Sequence, residues 1–165
     1  MTVEKLLNIQ MPKRVDYLRV IIMELARISD HIICNTIIAQ DTGATTTFLY
    51  LFQFREHIYE IYEEICGARL TTNVGRIGGF ASDFNDIAFA KINKFLKEFP
   101  VALKEFESLL NRNRIFIDRT AGVAKVTAED ALSFSWTGPL LRATGVDYDV
   151  RVSEPYSSYQ DFDFE

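Results

Sequence analysis

Histidine is nearly absent from these 165 residues, which hold only His31 and His57. The residues three before them are Ile28 and Phe54. The paired Glu-x-x-His of a di-iron bundle is therefore missing, as is HExxH, and no metal site is expected. Cysteine is scarce as well. Cys34 and Cys66 cannot make a CxxC pair, sit in apolar helical patterns, and read as buried, reduced thiols of a cytosolic compartment. Long apolar runs are lacking: Val20–Met23 and Ile32–Ala39 fall far short of the ~20 residues that a spanning helix needs. The first residues, Met1 to Lys5, do not have the basic-then-apolar order of a signal peptide. No dense cluster of Lys and Arg exists, and the formal net charge is −5. Both facts argue against a nucleic-acid partner, whose phosphates need clustered cations. There is no Gly-x-Ser-x-Gly elbow and no Cys–His dyad. The glycine-rich run Gly75 to Phe80 is neither a Walker loop nor GxGxxG and reads as a turn between helices.

What the chain does have is helical periodicity and large side chains, with 13 Phe and 7 Tyr. Its length suits one domain that buries roughly two thirds of the surface of the unfolded chain. After Pro12, apolar residues recur at three- and four-residue steps (Leu18, Ile21, Leu25, Ile28, Ile32), predicting a helix from Lys13 to Gln40. Val20, Ile22, Ile33, Ile37 and Ile38 lie outside that stripe, so the helix is expected to be surrounded by protein. Asp41-Thr42-Gly43 breaks it, and Thr45 to Thr47 offer hydroxyl caps to a second helix carrying Leu51, Phe54, Ile58, Ile61 and Ile65. Glu56, Glu60, Glu63 and Glu64 take its wet side, and Gly67 ends it. So short a connection predicts an antiparallel hairpin. Residues 70–83 read as loop. A third helical pattern places Phe89, Ile92, Leu96 and Phe99 on one face, and Pro100 kinks or splits it before Leu103, Phe106 and Leu110.

Beyond Asn111 the character changes. Ile115 to Ile117 reads as a short strand, Thr127 to Asp130 as the start of a capped short helix, and Thr137-Gly138-Pro139 as a turn. The tail from Gly145 shows no helical period yet carries Tyr148, Tyr156, Tyr159, Phe162 and Phe164. The expected fold is mainly α: an antiparallel helical bundle of three to four helices with an irregular C-terminal extension. Residues 1–112 form the bundle core, and residues 113–165 form the extension, with one short helix, as part of the same larger domain.

Charge inside the first long helix is the informative chemical feature. Glu24, Arg27, Asp30 and His31 fall within two turns of an apolar pattern, at spacings that let Glu24 meet Arg27 and Arg27 meet His31. Such a group is either a structural clasp or a proton-handling site, and clasps are commoner. Asp41 ends the same helix, where a carboxylate meets the negative end of the helix dipole. Read from the residues alone, it starts a loop and caps the next turn.

Several ordered strings carry a resemblance. VEKLLNIQMPKRVDYLRVIIMELARISDHI (Val3 to Ile32), QDTGATT (Gln40 to Thr46), FREHIYEIYEEICGAR (Phe54 to Arg69), GRIGGF, DRTAGV (Asp118 to Val123), TAEDALSFSWTGPLLRATGVDYDVR (Thr127 to Arg151) and PYSSYQDFDF (Pro155 to Phe164) together resemble the quinone-reducing D subunit of respiratory complex I, NADH:quinone oxidoreductase. The resemblance covers nearly the whole chain and is most specific in TGPLLRATGVDYDVR. It implies a helical core, related to the large subunit of [NiFe]-hydrogenases but without its metal, within a chain more than twice as long. This sequence would start after the N-terminal region and stop before the C-terminal third, and alone it would be inactive. The implied partners are other complex I subunits, especially the one holding the terminal iron–sulfur cluster and the membrane arm. The implied place is the peripheral arm, on the cytoplasmic face of the inner membrane.

The complex uses NADH and quinone, while this chain would bind no cofactor itself. The family's quinone-site His and Tyr lie outside the sequence. Asp41 matches the Asp of the family's helix-ending Asp-x-Gly-Ala motif, which is implied to hydrogen-bond the quinone-site His and couple protonation to quinone reduction. Many members have a His two residues after the Arg of Gly-x-Arg, facing the terminal cluster; here Thr71 follows Arg69 at that spacing. A hydroxyl cannot take up a proton when the cluster is reduced, so the cluster potential is expected to depend little on pH. Arg76, Arg142 and Arg151 read as structural or interface residues. Two alternatives remain open on the sequence alone: a membrane-bound [NiFe]-hydrogenase large subunit, which would carry CxxC pairs near its ends, and a helical scaffold without a redox role.

Overall fold

A computed structural model describes residues 1–163, so Phe164, counted above among the tail aromatics, lies outside the described residues. The chain forms two compact units, Met1–Thr120 and Ala121–Glu165. Eight α-helices, one 3-10 turn and one two-stranded ribbon make up the described secondary structure, so the chain is mainly α as expected.

In the first unit, α1 (Thr2–Leu6) precedes α2 (Lys13–Asp41), α3 (Thr45–Cys66), a ribbon of β1 (Gly75–Arg76) and β2 (Gly79–Phe80), α4 (Asp86–Leu110) and α5 (Arg114–Thr120). The long helix α3 lies in the middle and packs on both α2 and α4. Its buried stripe is the one the spacing predicts: Leu51, Phe54, Ile58, Ile61 and Ile65, with Ile58 and Ile61 wholly enclosed. Each such aliphatic side chain contributes roughly 1.5–3 kcal/mol when taken out of water. On α2, Leu18, Leu25 and Ile32 are buried, with Ile21 and Ile28 packed against the same core. Gly67 ends α3 in the left-handed conformation, its N–H donating to the Glu63 carbonyl at 2.8 Å.

Several expectations are corrected. The first helix is not surrounded by protein in this chain, because Ile37 and Ile38 are 43% and 53% exposed. Cys34 is exposed rather than buried, and Cys66 is half-buried; neither is in a disulfide. No threonine hydroxyl caps α3, whose N-cap is Ala44. Residues 70–83 contain the small ribbon, in which Gly75 pairs with Phe80 and Arg76 with Gly79. Pro100 does not split the third helix. It sits on the exposed side of α4, four residues after exposed Leu96, so the carbonyl that loses its intrahelical partner faces solvent. The buried stripe of α4 is rotated by about one residue: Phe95, 1% exposed, takes the core position expected of Leu96, which is 56% exposed.

Ile115 to Ile117 is helical, within α5, not a strand. The Asn113 side-chain oxygen accepts from the backbone N–H of Ile115 (2.9 Å) and Phe116 (3.2 Å). That capping decides the conformation of a β-branched run whose composition alone favours a strand.

The second unit holds α6 (Ala128–Ser133), α7 (Gly138–Ala143), α8 (Val150–Ser153) and a 3-10 turn at Tyr159–Asp161. Thr127 caps α6 as expected, accepting from the Asp130 N–H at 3.1 Å. Thr137-Gly138-Pro139 starts helix α7 instead of forming a free-standing turn, with Pro139 in the first helical turn where its missing N–H costs nothing. The tail, expected to lack helical structure, forms α8. Its Tyr159 is buried while Tyr148 and Phe162 are exposed.

Candidate functional site

Asp41 is the last residue of α2, and its side chain is exposed. The turn that follows is closed by two backbone bonds, from the Ala44 N–H to the Ala39 carbonyl (2.8 Å) and from the Gly43 N–H to the Gln40 carbonyl (2.9 Å). This is the Schellman arrangement, and it requires a residue at positive φ, supplied by Gly43 at +102°. The Thr42 hydroxyl adds bonds to the Ile38 and Ala39 carbonyls, both at 2.9 Å. The carbonyls at the end of α2 are thus tied down, and Asp41 is held on a rigid turn.

Arg119 completes this turn from 77 residues away. Its Nη1 donates to the Thr42 carbonyl at 2.5 Å. The backbone angle calls for glycine, and a Cβ there would lie only 2.9 Å from that nitrogen, so the guanidinium would have to shift to make room. A cation placed at a helix C-terminus offsets both the negative end of the dipole and the acidic residue there. Two separate motif strings, QDTGATT and DRTAGV, therefore meet in space. Sequence reading missed Arg119, because nothing in spacing relates residue 42 to residue 119.

Thr71 is exposed and held at positive φ (+51°), with its hydroxyl donating to the Leu70 carbonyl at 2.7 Å. Its neighbour Arg69 ion-pairs with Glu56 and with Glu63 on α3. Asp41 and Thr71 lie beyond opposite ends of α3, a helix of 22 residues and so about 33 Å long. The fold does not bring them together.

The buried charge is also elsewhere than expected. Asp30 and His31 are exposed, and the Glu24–Arg27 pair (3.2 Å) is only half-buried. The deeply buried pair is Glu4 and Arg19, joined by two bonds of 2.7 Å. The Gly78 N–H donates to Glu4 at 2.7 Å, and Arg19 also donates to the Arg76 carbonyl at 3.2 Å. This clasp fastens α1 and the GRIGGF ribbon onto α2. Arg19 above all, then the Gly78 N–H, hold the Glu4 carboxyl down at about 2. In the second unit Arg151 grips Asp149 with a bond of 2.7 Å, and Arg142 approaches the same carboxylate at 3.4 Å. Arg151 lowers the Asp149 carboxyl to about 2. Among the described residues no group of three or more His, Cys, Asp and Glu could hold a metal ion, and no helix is long and apolar enough to cross a membrane.

The fold and the pinned turn define a mainly helical chain carrying an Asp-x-Gly-Ala turn, and comparison with known proteins supplies its family. The chain belongs to the family described as respiratory-chain NADH dehydrogenase, 49 Kd subunit, which matches residues 41–165. It is 70% identical over 164 residues to the NADH-quinone oxidoreductase D subunit of Flavobacterium johnsoniae, covering 99% of this chain and 40% of that protein. The D 2 subunit of the same oxidoreductase from Cytophaga hutchinsonii is 69% identical, with 99% and 42% covered. The Leptospira biflexa D subunit is 48% identical, with 100% and 41% covered. The chain spans about two fifths of the length of these curated relatives.

Proposed function

We propose that this chain is the helical core of the quinone-reducing subunit of a NADH:quinone oxidoreductase. Electrons pass from an iron–sulfur cluster in a neighbouring subunit to quinone, and this reduction drives proton translocation by the membrane arm. The chain alone is inactive and binds no cofactor of its own. It works in the peripheral arm, at the cytoplasmic face of the membrane, against the cluster-bearing subunit. The observation that carries this reading is the likeness, over 99% of the chain, to proteins named as D subunits of NADH-quinone oxidoreductase.

Asp41 is the proton-coupling residue at the quinone site. A carboxylate facing an imidazole shifts its protonation equilibrium and links proton uptake to the charge on the quinone. The pinned turn supports this role, because a proton partner must be held at hydrogen-bond reach while neighbouring charges change. Asp41→Asn keeps the shape of the side chain and removes its charge. In the assembled complex, quinone reductase activity is expected to fall at least tenfold while subunit content and electron entry from NADH stay intact. Unchanged activity would favour a scaffold without a redox role. Thr71 lies beside the terminal cluster and gives it no proton acceptor.

A further inference from the structure

The long helices α2 and α4 both pack on α3 and have no comparable contact with each other. They therefore stand beside α3 as the walls of a groove instead of closing into a bundle. The groove holds a cavity of about 340 Å³ between Ile28, His31 and Asn35 of α2 and Phe99 and Leu103 of α4. Its floor is made by Ile32, Leu51 and Phe106, which are buried members of the main apolar core. An element laid over this floor would extend the core itself.

The walls are more apolar than a solvated surface needs. On α4, Leu96 and Leu103 are seven residues apart, hence on one side of the helix, and are 56% and 37% exposed. They adjoin the buried stripe that contains Phe95 and Ala102, so the apolar arc of α4 is wide enough for two neighbours, of which α3 is one. On α2, Ile28 is half-buried, and Ile38, three residues beyond Asn35 on the same side, is 53% exposed. His31 and Asn35 are exposed, lie one turn apart, and make no side-chain hydrogen bond among the described residues. The groove thus fits an occupant that is apolar along its length and polar at one level. Long straight walls suit a helix, whose axis would run roughly 8–10 Å from those of its neighbours, as in a four-helix bundle.

Chain length and continuity with the core say where that helix comes from. The matched stretch is 40% of the Flavobacterium johnsoniae D subunit and 42% of the Cytophaga hutchinsonii one, so most of a chain of this family lies outside it. Contact zones between separately folded subunits are about as apolar as ordinary surface, whereas this floor belongs to the interior core. A segment of the same polypeptide is also held at high effective concentration and gives up no separate translational freedom on docking. We propose that the groove between α2 and α4 seats a further helix of the same full-length subunit, from outside these 165 residues. Its apolar face covers Ile28, Leu96 and Leu103, and a hydrogen-bonding side chain meets His31 and Asn35. This rests on membership of the family and not on the quinone reading of the Asp41 turn.

The test places the photo-crosslinking residue benzoylphenylalanine singly at Leu96, Leu103 and Val101 of the full-length subunit in the assembled oxidoreductase, and identifies the joined peptides by mass spectrometry. Val101, 60% exposed, lies on the other side of α4 and serves as the comparison. Leu96 and Leu103 are expected to join one segment of the same subunit, outside residues 1–165, at points about seven residues apart, as two helices side by side require. Val101 should give at least fivefold less of that product. A main product with another subunit, with a second copy of this one or with lipid overturns the proposal, as does the absence of a product from both groove positions. Should the bulky residue prevent assembly, Leu103→Cys and Val101→Cys are labelled with a maleimide and read site by site by peptide mass. Labelling at position 103 is expected to be at least tenfold slower than at 101, and equal rates would overturn the proposal.

Discussion

Replacing Gly43 by alanine perturbs the turn below Asp41 in two separable ways. A non-glycine residue forced into a sparsely populated region such as φ +102° costs roughly 1–3 kcal/mol. The added Cβ would also stand 2.9 Å from Arg119 Nη1, so the guanidinium must move and its bond to the Thr42 carbonyl is lost. At an exposed site that bond is worth roughly 1 kcal/mol. Gly43→Ala should therefore destabilise the chain by about 2–4 kcal/mol, and Arg119→Ala by about 1 kcal/mol, on these grounds. The double variant has already given up the bond and keeps only the backbone strain. Its loss should fall short of the sum of the two by about 1 kcal/mol, the signature of a direct contact. Urea unfolding followed by circular dichroism measures all three values. Strict additivity, or a Gly43→Ala effect under about 0.5 kcal/mol, would refute the geometry of this turn.

Acid should loosen the clasp between Glu4 and Arg19. The folded-state carboxyl lies at about 2 against an ordinary 4.5, so its contribution is complete above pH 4.5 and disappears as pH falls toward 2. That contribution is roughly 3 kcal/mol at neutral pH, and the difference between wild type and Glu4→Gln should shrink by most of it between pH 6 and pH 2. Pro100→Ala should stabilise the chain by roughly 1–3 kcal/mol, because α4 runs through the proline without the bond to the Leu96 carbonyl; a lower denaturation midpoint would count against this. Asn113→Ala should cost roughly 1 kcal/mol through the lost cap of α5. If Thr71 lies beside the terminal cluster as proposed, Thr71→His in the assembled complex should give that cluster a pH-dependent potential approaching ~59 mV per pH unit, against an expected shallow slope for the unmodified protein. A redox titration with the same slope in both would remove Thr71 from the neighbourhood of the cluster.

Local pattern carried most of the fold. The stripes of α2 and α3 and the stop at Gly67 follow from spacing and backbone chemistry. Where the reading failed, a tertiary fact outweighed a local one. On α4 both Phe95 and Leu96 are large and apolar, so periodicity could not tell which faces α3. At Ile115 to Ile117 a single capping side chain overrode strand propensity. The charged group at Glu24 to His31 looked buried because its neighbours in sequence are apolar, yet it lies on the open side of α2. The pair that is buried joins residues 15 apart. Of the candidate site, the sequence supplied Asp41 and its glycine, while Arg119 needed coordinates.

The bond from Arg119 to the Thr42 carbonyl bears on the order in which the chain folds. Closing a loop of 77 residues costs about 4 kcal/mol of chain entropy, several times what one hydrogen bond returns. That contact cannot nucleate anything. It forms only once α3 and α4 have docked and brought residue 119 near residue 42. The setting of Asp41 is therefore among the last features to mature, so a partly folded chain would present that turn unfinished.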